Sequence, residues 1–493
     1  MAKFNGSNVG INRTVNKDGY PAYKMKDKDR LVTQVLTTFF GEPKFYGDNS
    51  NEIVASAQEI ICCSGHADFV AKLAVYARKV FNMRSVSHVL TAVLANCKEG
   101  KAVVRKLIPA VVVRADDVTE ILSAYLSMFG KPIPNSLKRG IGDAFKCFTE
   151  YSLAKYKGDG KSLSMKDVLR ICHPKPTTKS QSDLWKRCID GVLETPNTWE
   201  TQLSAHGNNA ETWTKLLDDN SLGYMALLRN LRNLLQANLD SVHYNAVFAR
   251  IADRDAVKHS RQLPFRFLSA WRELQEIGSS KVFDALETAL DYSVENMEKL
   301  PGKTCIVVDV SGSMSSSISA RSTIRCSDIS RLLGVMAAHI CDDSIFLAFD
   351  DYIYIPAISS KGSILSQAMS IRYPGNGTNM HLPIQHLIEH KMNVDRIIIL
   401  SDNEVNRGMN TVQQDVNEYR NTVNKDVWVH AIDLQGYGTQ QFLGSRTNII
   451  AGWSEKVLDF IRYAEQGMDT LVKCIESYDY TTMKTAIREE DVG

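Results

Sequence analysis

The chain contains no run of about 18 apolar residues, so nothing in it reads as a membrane-spanning helix. Its opening residues, MAKFNGSNVG, contain no apolar signal core, which predicts a cytoplasmic protein. Charge of one sign is also scarce in excess: the formal net charge is only +2, so any nucleic-acid binding must come from local patches rather than global basicity. No C-x-x-C pair occurs among the ten cysteines, and most of them sit inside apolar helical or strand patterns. They are expected to be reduced, buried small hydrophobes rather than disulfide partners. What remains is an ordinary globular composition, 44% hydrophobic and 23% charged, over 493 residues, enough for two or more domains with full cores.

The most informative stretch is TCIVVDVSGSMS, residues 304–315. It is an apolar, β-branched run that stops in alternating polar residues, the pattern of a buried parallel strand delivering side chains to its C-terminal edge. Asp309, Ser311 and Ser313 can turn three oxygens toward one point, and hard divalent cations such as Mg²⁺ take oxygen ligands while keeping open or water-filled positions. Two later segments extend the set. A Gly-rich loop, Pro374-Gly-Asn-Gly-Thr378, places a hydroxyl before a helix, and a second buried strand, 396–400, ends in Ser401-Asp402. A solvated turn is the alternative for the first motif alone. Around these motifs strands at 303–310, 344–349, 396–400 and 427–434 alternate with helices at 328–338, 381–390, 411–423 and 454–464, which predicts a doubly wound parallel sheet with its ligand site beyond the strand ends.

The preceding 270 residues read as helices: 29–40, 67–81, 86–96, 118–128, 136–155, 212–237, 241–252, 266–276 and 279–296 carry apolar residues at three- and four-residue spacing. Successive helices of this kind form a helical solenoid or an irregular bundle, and no strict repeat motif decides between them. Between Lys155 and Lys186 stand Lys157, Lys161, Lys166, Arg170, Lys175 and Lys179, against only Asp159, Asp167 and Asp183. Here a short helix over 164–171 is flanked by loops with His173, Pro174 and Pro176. Lys138 and Arg139 lead the helix before it, and Arg78, Lys79 and Arg84 close an earlier one. Such clusters neutralise phosphates, although a solvated charged face has the same composition.

Two resemblances follow from these residues. The set Asp309-x-Ser311-x-Ser313, Thr378 and Asp402 is similar to the metal-ion-dependent adhesion site of von Willebrand factor A domains. That resemblance implies one divalent cation, most simply Mg²⁺, contacted by the two serines and the threonine, with the aspartates acting mostly through water. Ser401 stands where that family commonly has threonine. The stretches FFGEPKFYG, LAVYARKVFNMRSVSHVL, PNSLKRGIGDAF, MKDVLRICHPKP, MALLRNLRNLL and RQLPFRFLSAW resemble the TROVE module of the Ro autoantigen family and its bacterial orthologues. This resemblance covers about residues 20–465 and implies a HEAT-like helical-repeat ring over 20–298, a von Willebrand A domain over 302–470 and a tail over 471–493.

It further implies a monomeric RNA-binding protein without catalysis, taking the single-stranded 3′ ends of misfolded noncoding RNAs and small Y RNAs, with polynucleotide phosphorylase a partner tethered through RNA. Carried over by position, Lys138, Arg139, Lys166, Arg170, His173 and Lys175 are the expected RNA contacts; His173 could instead cap its helix. An acidic protein ligand is expected at the open metal position. Two other readings compete: a metal-dependent protein scaffold without RNA, and a metal-dependent hydrolase. The hydrolase is weakened by the lack of an obvious general base beside Asp309 and Asp402.

Overall fold

The structure is a computed structural model that describes residues 13–37, 48–158, 160, 162–295, 297–317, 323–452, 456–466 and 471–485. The FFGEPKFYG stretch, Asp159, Lys161 and the final residues of the tail lie outside the described residues. The chain divides into two compact units, one of residues 1–39 and 294–472, the other of 40–293 and 473–493.

The first unit is built on a six-stranded sheet, in the order Ile353–Tyr354, Cys341–Phe349, Leu300–Asp309, Arg396–Ser401, Trp428–Asp433, Thr447–Ala451. Only the short first edge strand is antiparallel. The central strand reads as a continuous apolar run because helices cover both faces of the sheet. Alternate residues Cys305 and Val307 join Leu347, Ile397, Ile399 and Val429 in one core with the helices His381–Glu389 and Val412–Thr422. Val308 points the other way, against Gly334 of the helix Cys326–Ile340, where a Cβ would lie 2.5 Å from the Val308 side chain. Glycine at this point lets the helix backbone approach the sheet. The expected strands and helices of this unit are all present, and the edge strand Thr447–Ala451 and helix Ile364–Ser370 are additional.

The sequence reading began the helical module at residue 20, but Pro21–Lys24 is a strand of the α/β unit. It pairs with Arg13–Val15 on one side and Thr439–Gln440 on the other. The strand is too short, and its apolar alternation too brief, for periodicity to reveal it. Asn16 donates its side-chain amide to the Val405 carbonyl at 2.7 Å and the Lys17 amide donates to Glu404 at 2.9 Å, so this ribbon ties down the loop after Asp402.

In the second unit the helices Ala67–Lys79, Ser85–Asn96, Lys101–Val111, Asp117–Phe129 and Asn135–Phe145 pack against near neighbours in sequence. Two expected long helices are broken. The 136–155 span divides at Thr149, whose side chain caps Glu150–Lys155, and 212–237 divides into Ala210–Asp218, Tyr224–Arg229 and Leu231–Gln236. Tyr478 and Tyr480 of the C-terminal segment lie in this unit, Tyr478 edge-on to Tyr76 and Tyr480 donating to Asp68 at 3.4 Å. All nine described cysteines are free. Cys97, Cys188, Cys305, Cys326 and Cys341 are buried as expected, whereas Cys62 and Cys147 are exposed.

Asp117 is fully buried between these helices. Arg78 lies 3.1 Å, Arg84 2.6 Å and His88 3.1 Å from its carboxylate, which also accepts the Val113 and Arg114 amides at 2.8 Å each. Burial would raise this carboxyl, but the surrounding positive charges override it and hold it well below the usual carboxylate range. Asp117→Ala leaves Arg78 buried without its anion and takes from Arg84 one of its two carboxylates. The expected loss is about 3–5 kcal/mol of unfolding free energy, read as a lowered midpoint in chemical denaturation.

Candidate functional site

Three loops meet beyond the C-terminal ends of the central strands. The first carries Asp309, Ser311 and Ser313. The Ser311 amide donates to Asp309 Oδ1 at 2.9 Å, and the Ser311 and Ser313 hydroxyls are 3.2 Å apart. Gly312 donates to the Asn376 carbonyl at 2.8 Å and Gly375 to the Val310 carbonyl at 3.2 Å, which stitches the Thr378 loop to the first. A Cβ on Gly312 would come within 2.9 Å of the Gly375 oxygen, so this approach requires glycine. The third loop follows Arg396–Ser401. Ser401 donates its hydroxyl to Asp309 Oδ2 at 2.6 Å, and Asn406 accepts the Thr378 amide at 2.7 Å.

Among the described residues Asp309, Asp402, Asp433 and Glu404 have no ion-pair partner. Burial pushes Asp309 up to about 6, with Asp350 adding to the push and Ser311 and Ser401 opposing it. Burial, then the Asp309 charge, holds Asp402 well above the usual range. Burial likewise raises Asp433 to about 6 and Glu404 to about 7. The Ser313 hydroxyl is near enough to steady the Asp402 charge, yet among the described residues the buried Asp402 Oδ2 has no donor in hydrogen-bonding geometry. A cation among these oxygens would relieve that imbalance, so the residue set fits a divalent ion. Among the described residues no three His, Cys, Asp or Glu side chains are close enough to hold an ion by themselves. The hydroxyls of Ser311, Ser313 and Thr378 are therefore part of what makes the set fit. Asp350, Asp433 and Glu404 were missed by the sequence reading; Asp433 had the same signal as Asp309 and Asp402, an aspartate ending an apolar run.

The second candidate lies in the helical unit. Ser164 opens the helix Met165–Cys172 with a capping box, its amide donating to Asp167 Oδ2 at 2.9 Å and its hydroxyl to the same oxygen at 2.5 Å. Those two hydrogen bonds lower the Asp167 carboxyl and occupy the carboxylate next to Lys166 and Arg170. Met165, Val168 and Leu169 face the core, leaving Lys166 and Arg170, four residues apart, on the exposed face. His173 is in the left-handed region (φ 47°, ψ 52°), its amide bonded to the Leu169 carbonyl at 3.0 Å. It is thus the helix cap, and its ring is still exposed, so the two readings of this residue do not compete. Pro174 then packs on Gly142 of the helix Asn135–Phe145, 3.4 Å from where a Cβ would stand.

That helix carries Lys138, half-buried, and Arg139, exposed. The Lys138 charge reaches Cys172. Lys175 is exposed just beyond. None of these six side chains has an ion-pair partner among the described residues. Arg78 and Arg84, by contrast, are spent on Asp117 and Asp116 inside the unit and are not part of a basic surface.

Comparisons with known proteins locate both units. A TROVE domain model matches residues 42–193 and 191–281, and a Ro60 vWA domain model matches 303–435. The chain is 28% identical over 340 residues to telomerase protein component 1 of Rattus norvegicus, covering 51% of this chain and 13% of that one. It is 25% identical over 330 residues to RNA-binding protein RO60 of Deinococcus radiodurans, covering 54% of this chain and 59% of that one. It therefore spans less than two thirds of these curated relatives. The crystal structure of the Deinococcus radiodurans Ro (RSR) protein superposes with a TM-score of 0.63 at 18% identity, over 90% of this chain and 100% of that one, and shares its fold. With a TROVE domain followed by a Ro60-type von Willebrand A domain, the chain belongs to the Ro family.

Proposed function

We propose that this protein binds noncoding RNA through the face formed by Lys138, Arg139, Lys166, Arg170, His173 and Lys175, and does no chemistry on it. The observation that carries this reading is that none of these groups has an ion-pair partner among the described residues, the acid beside Lys166 and Arg170, Asp167, being engaged in a cap. Lysine and arginine meet phosphates, and an exposed imidazole stacks on or hydrogen-bonds to an unpaired base. The RNA-binding name of a Deinococcus relative supports the same ligand class. In this proposal the RNAs are Y RNAs and the single-stranded 3′ ends of misfolded RNAs, and the protein is a cytoplasmic, monomeric adaptor tethered through RNA to an exoribonuclease such as polynucleotide phosphorylase. Asp309, Ser311, Ser313, Thr378 and Asp402 would hold one divalent cation, most simply Mg²⁺. When bound, that ion offers an electrophilic position to an acidic group on a protein partner. Asp309 and Asp402 orient the hydroxyl ligands and balance the charge; no general base stands among the residues bonded to them.

Lys166→Ala with Arg170→Ala should weaken binding of a structured RNA with a single-stranded 3′ tail by about tenfold at moderate salt, and flatten the logarithmic salt dependence by about two phosphate contacts. Filter-binding titrations across a salt series measure both, and unchanged affinity would remove these residues from the interface. Mg²⁺ should raise the thermal unfolding midpoint of the wild-type chain, with up to about 2.7 kcal/mol of stabilisation at a hundredfold excess over its dissociation constant. Ser311→Ala with Ser313→Ala should abolish that rise while leaving the magnesium-free midpoint within a few degrees. Labelled tailed RNA incubated with the protein and Mg²⁺ should stay intact; cleavage lost in Asp309→Ala would establish a hydrolase instead.

A further inference from the structure

A cleft of about 550 Å³ opens in the helical unit between the loop Lys131–Pro134 and the ends of four helices. Its rim carries Lys101, Lys131 and Lys138, and none of the three is paired with a carboxylate among the described residues. Lys101 begins one helix of 11 residues and Asn135 begins another of 11. No side chain caps the second helix, and the first of its amides to bond within the chain is that of Lys138, to the Pro134 carbonyl at 3.1 Å. Three lysines and the free amides at a helix start together ask for an anion.

The remaining lining says what the anion is attached to. Tyr125 and Phe129 pack with ring centroids 5.5 Å apart, Tyr125 donates its hydroxyl to the Pro132 carbonyl at 3.3 Å, and Pro132, Ile133 and Pro134 complete an apolar wall. Asn96 and Asn135 add amide groups that both donate and accept. The volume is far above that of a bare phosphate and within the range of about 300–1,000 Å³ typical of small-molecule pockets.

We infer that this cleft binds a single phosphorylated nucleotide, its phosphate held by Lys101, Lys131 and Lys138 and its base laid against the wall of Phe129 and the prolines. The inference rests on the proposed RNA reading in one respect, the sharing of Lys138, and is otherwise independent of the Lys166–Lys175 surface. The phosphate can belong to a free mononucleotide or to the phosphorylated end of an RNA strand, and the experiment separates these sources.

AMP is titrated calorimetrically into the full chain, into Lys101→Ala with Lys131→Ala, and into the conservative Lys101→Arg with Lys131→Arg. The expected result is one saturable site in the wild-type chain, weakened at least about tenfold in the alanine variant and largely kept in the arginine variant. Adenosine, lacking the phosphate, should show no site. A short single-stranded RNA bearing a 5′-phosphate that competes better than AMP assigns the cleft to an RNA end; one that competes worse assigns it to the free nucleotide. Absence of AMP binding, equal affinity in the alanine variant, or inorganic phosphate displacing AMP as well as AMP itself would overturn the inference. Affinity for structured RNA with a 3′ tail is measured alongside. Tail binding without an AMP site removes the cleft and keeps the surface; an AMP site without tail binding does the reverse.

Discussion

A few acidic side chains in this protein are committed to the interior or to a cap, and their placement shapes both candidate sites. Asp117 takes Arg78, Arg84 and His88 inside the helical unit, Asp116 takes Arg84 and Arg114, and Asp167 closes a capping box. Asp309, Asp402 and Asp433 are fully buried at the strand ends of the α/β unit. With these carboxylates removed from the surface, a chain of net charge only +2 can still present lysines and arginines without partners. Burying a charge is costly unless it is paired, which is why the paired and unpaired clusters read so differently.

In the helical unit the buried carboxylate meets its cations and backbone amides, and the result is structural. At the strand ends the carboxylates meet hydroxyls and one another, so their proton affinities rise and one oxygen of Asp402 is left without a donor. The doubly covered parallel sheet creates that situation, because strands buried on both faces must release their polar residues at the ends. The N-terminal ribbon contributes by anchoring Glu404 and Val405, which holds the loop carrying Asp402 against the other two.

The basic surface owes its form to local backbone chemistry. The capping box starts the helix Met165–Cys172 at Ser164, and His173 ends it in a left-handed conformation that turns the chain toward Pro174. Lys166 and Arg170 are exposed because Met165, Val168 and Leu169 face the core. The packing of Pro174 on Gly142 then brings the neighbouring helix, with Lys138 and Arg139, beside them.

Much of this was legible in the sequence alone. An apolar run ending in Asp309-x-Ser311-x-Ser313, a second ending in Ser401-Asp402, and helices with apolar residues at three- and four-residue spacing are local patterns set by side-chain period and backbone propensity. They sufficed for the two fold classes, for the metal-type loop and for the helix bearing Lys166 and Arg170. The N-terminal strands, the breaks at Thr149 and within 212–237, and the fate of Arg78 and Arg84 were decided by tertiary structure. Arg84 reads as surface charge until packing places it 2.6 Å from a carboxylate 33 residues away. Lys101, Lys131 and Lys138 come from separate helices and a loop, so no spacing along the chain announces their meeting at one cleft. Local sequence sets which way each side chain faces on its own element; only packing decides which charges end up opposite one another.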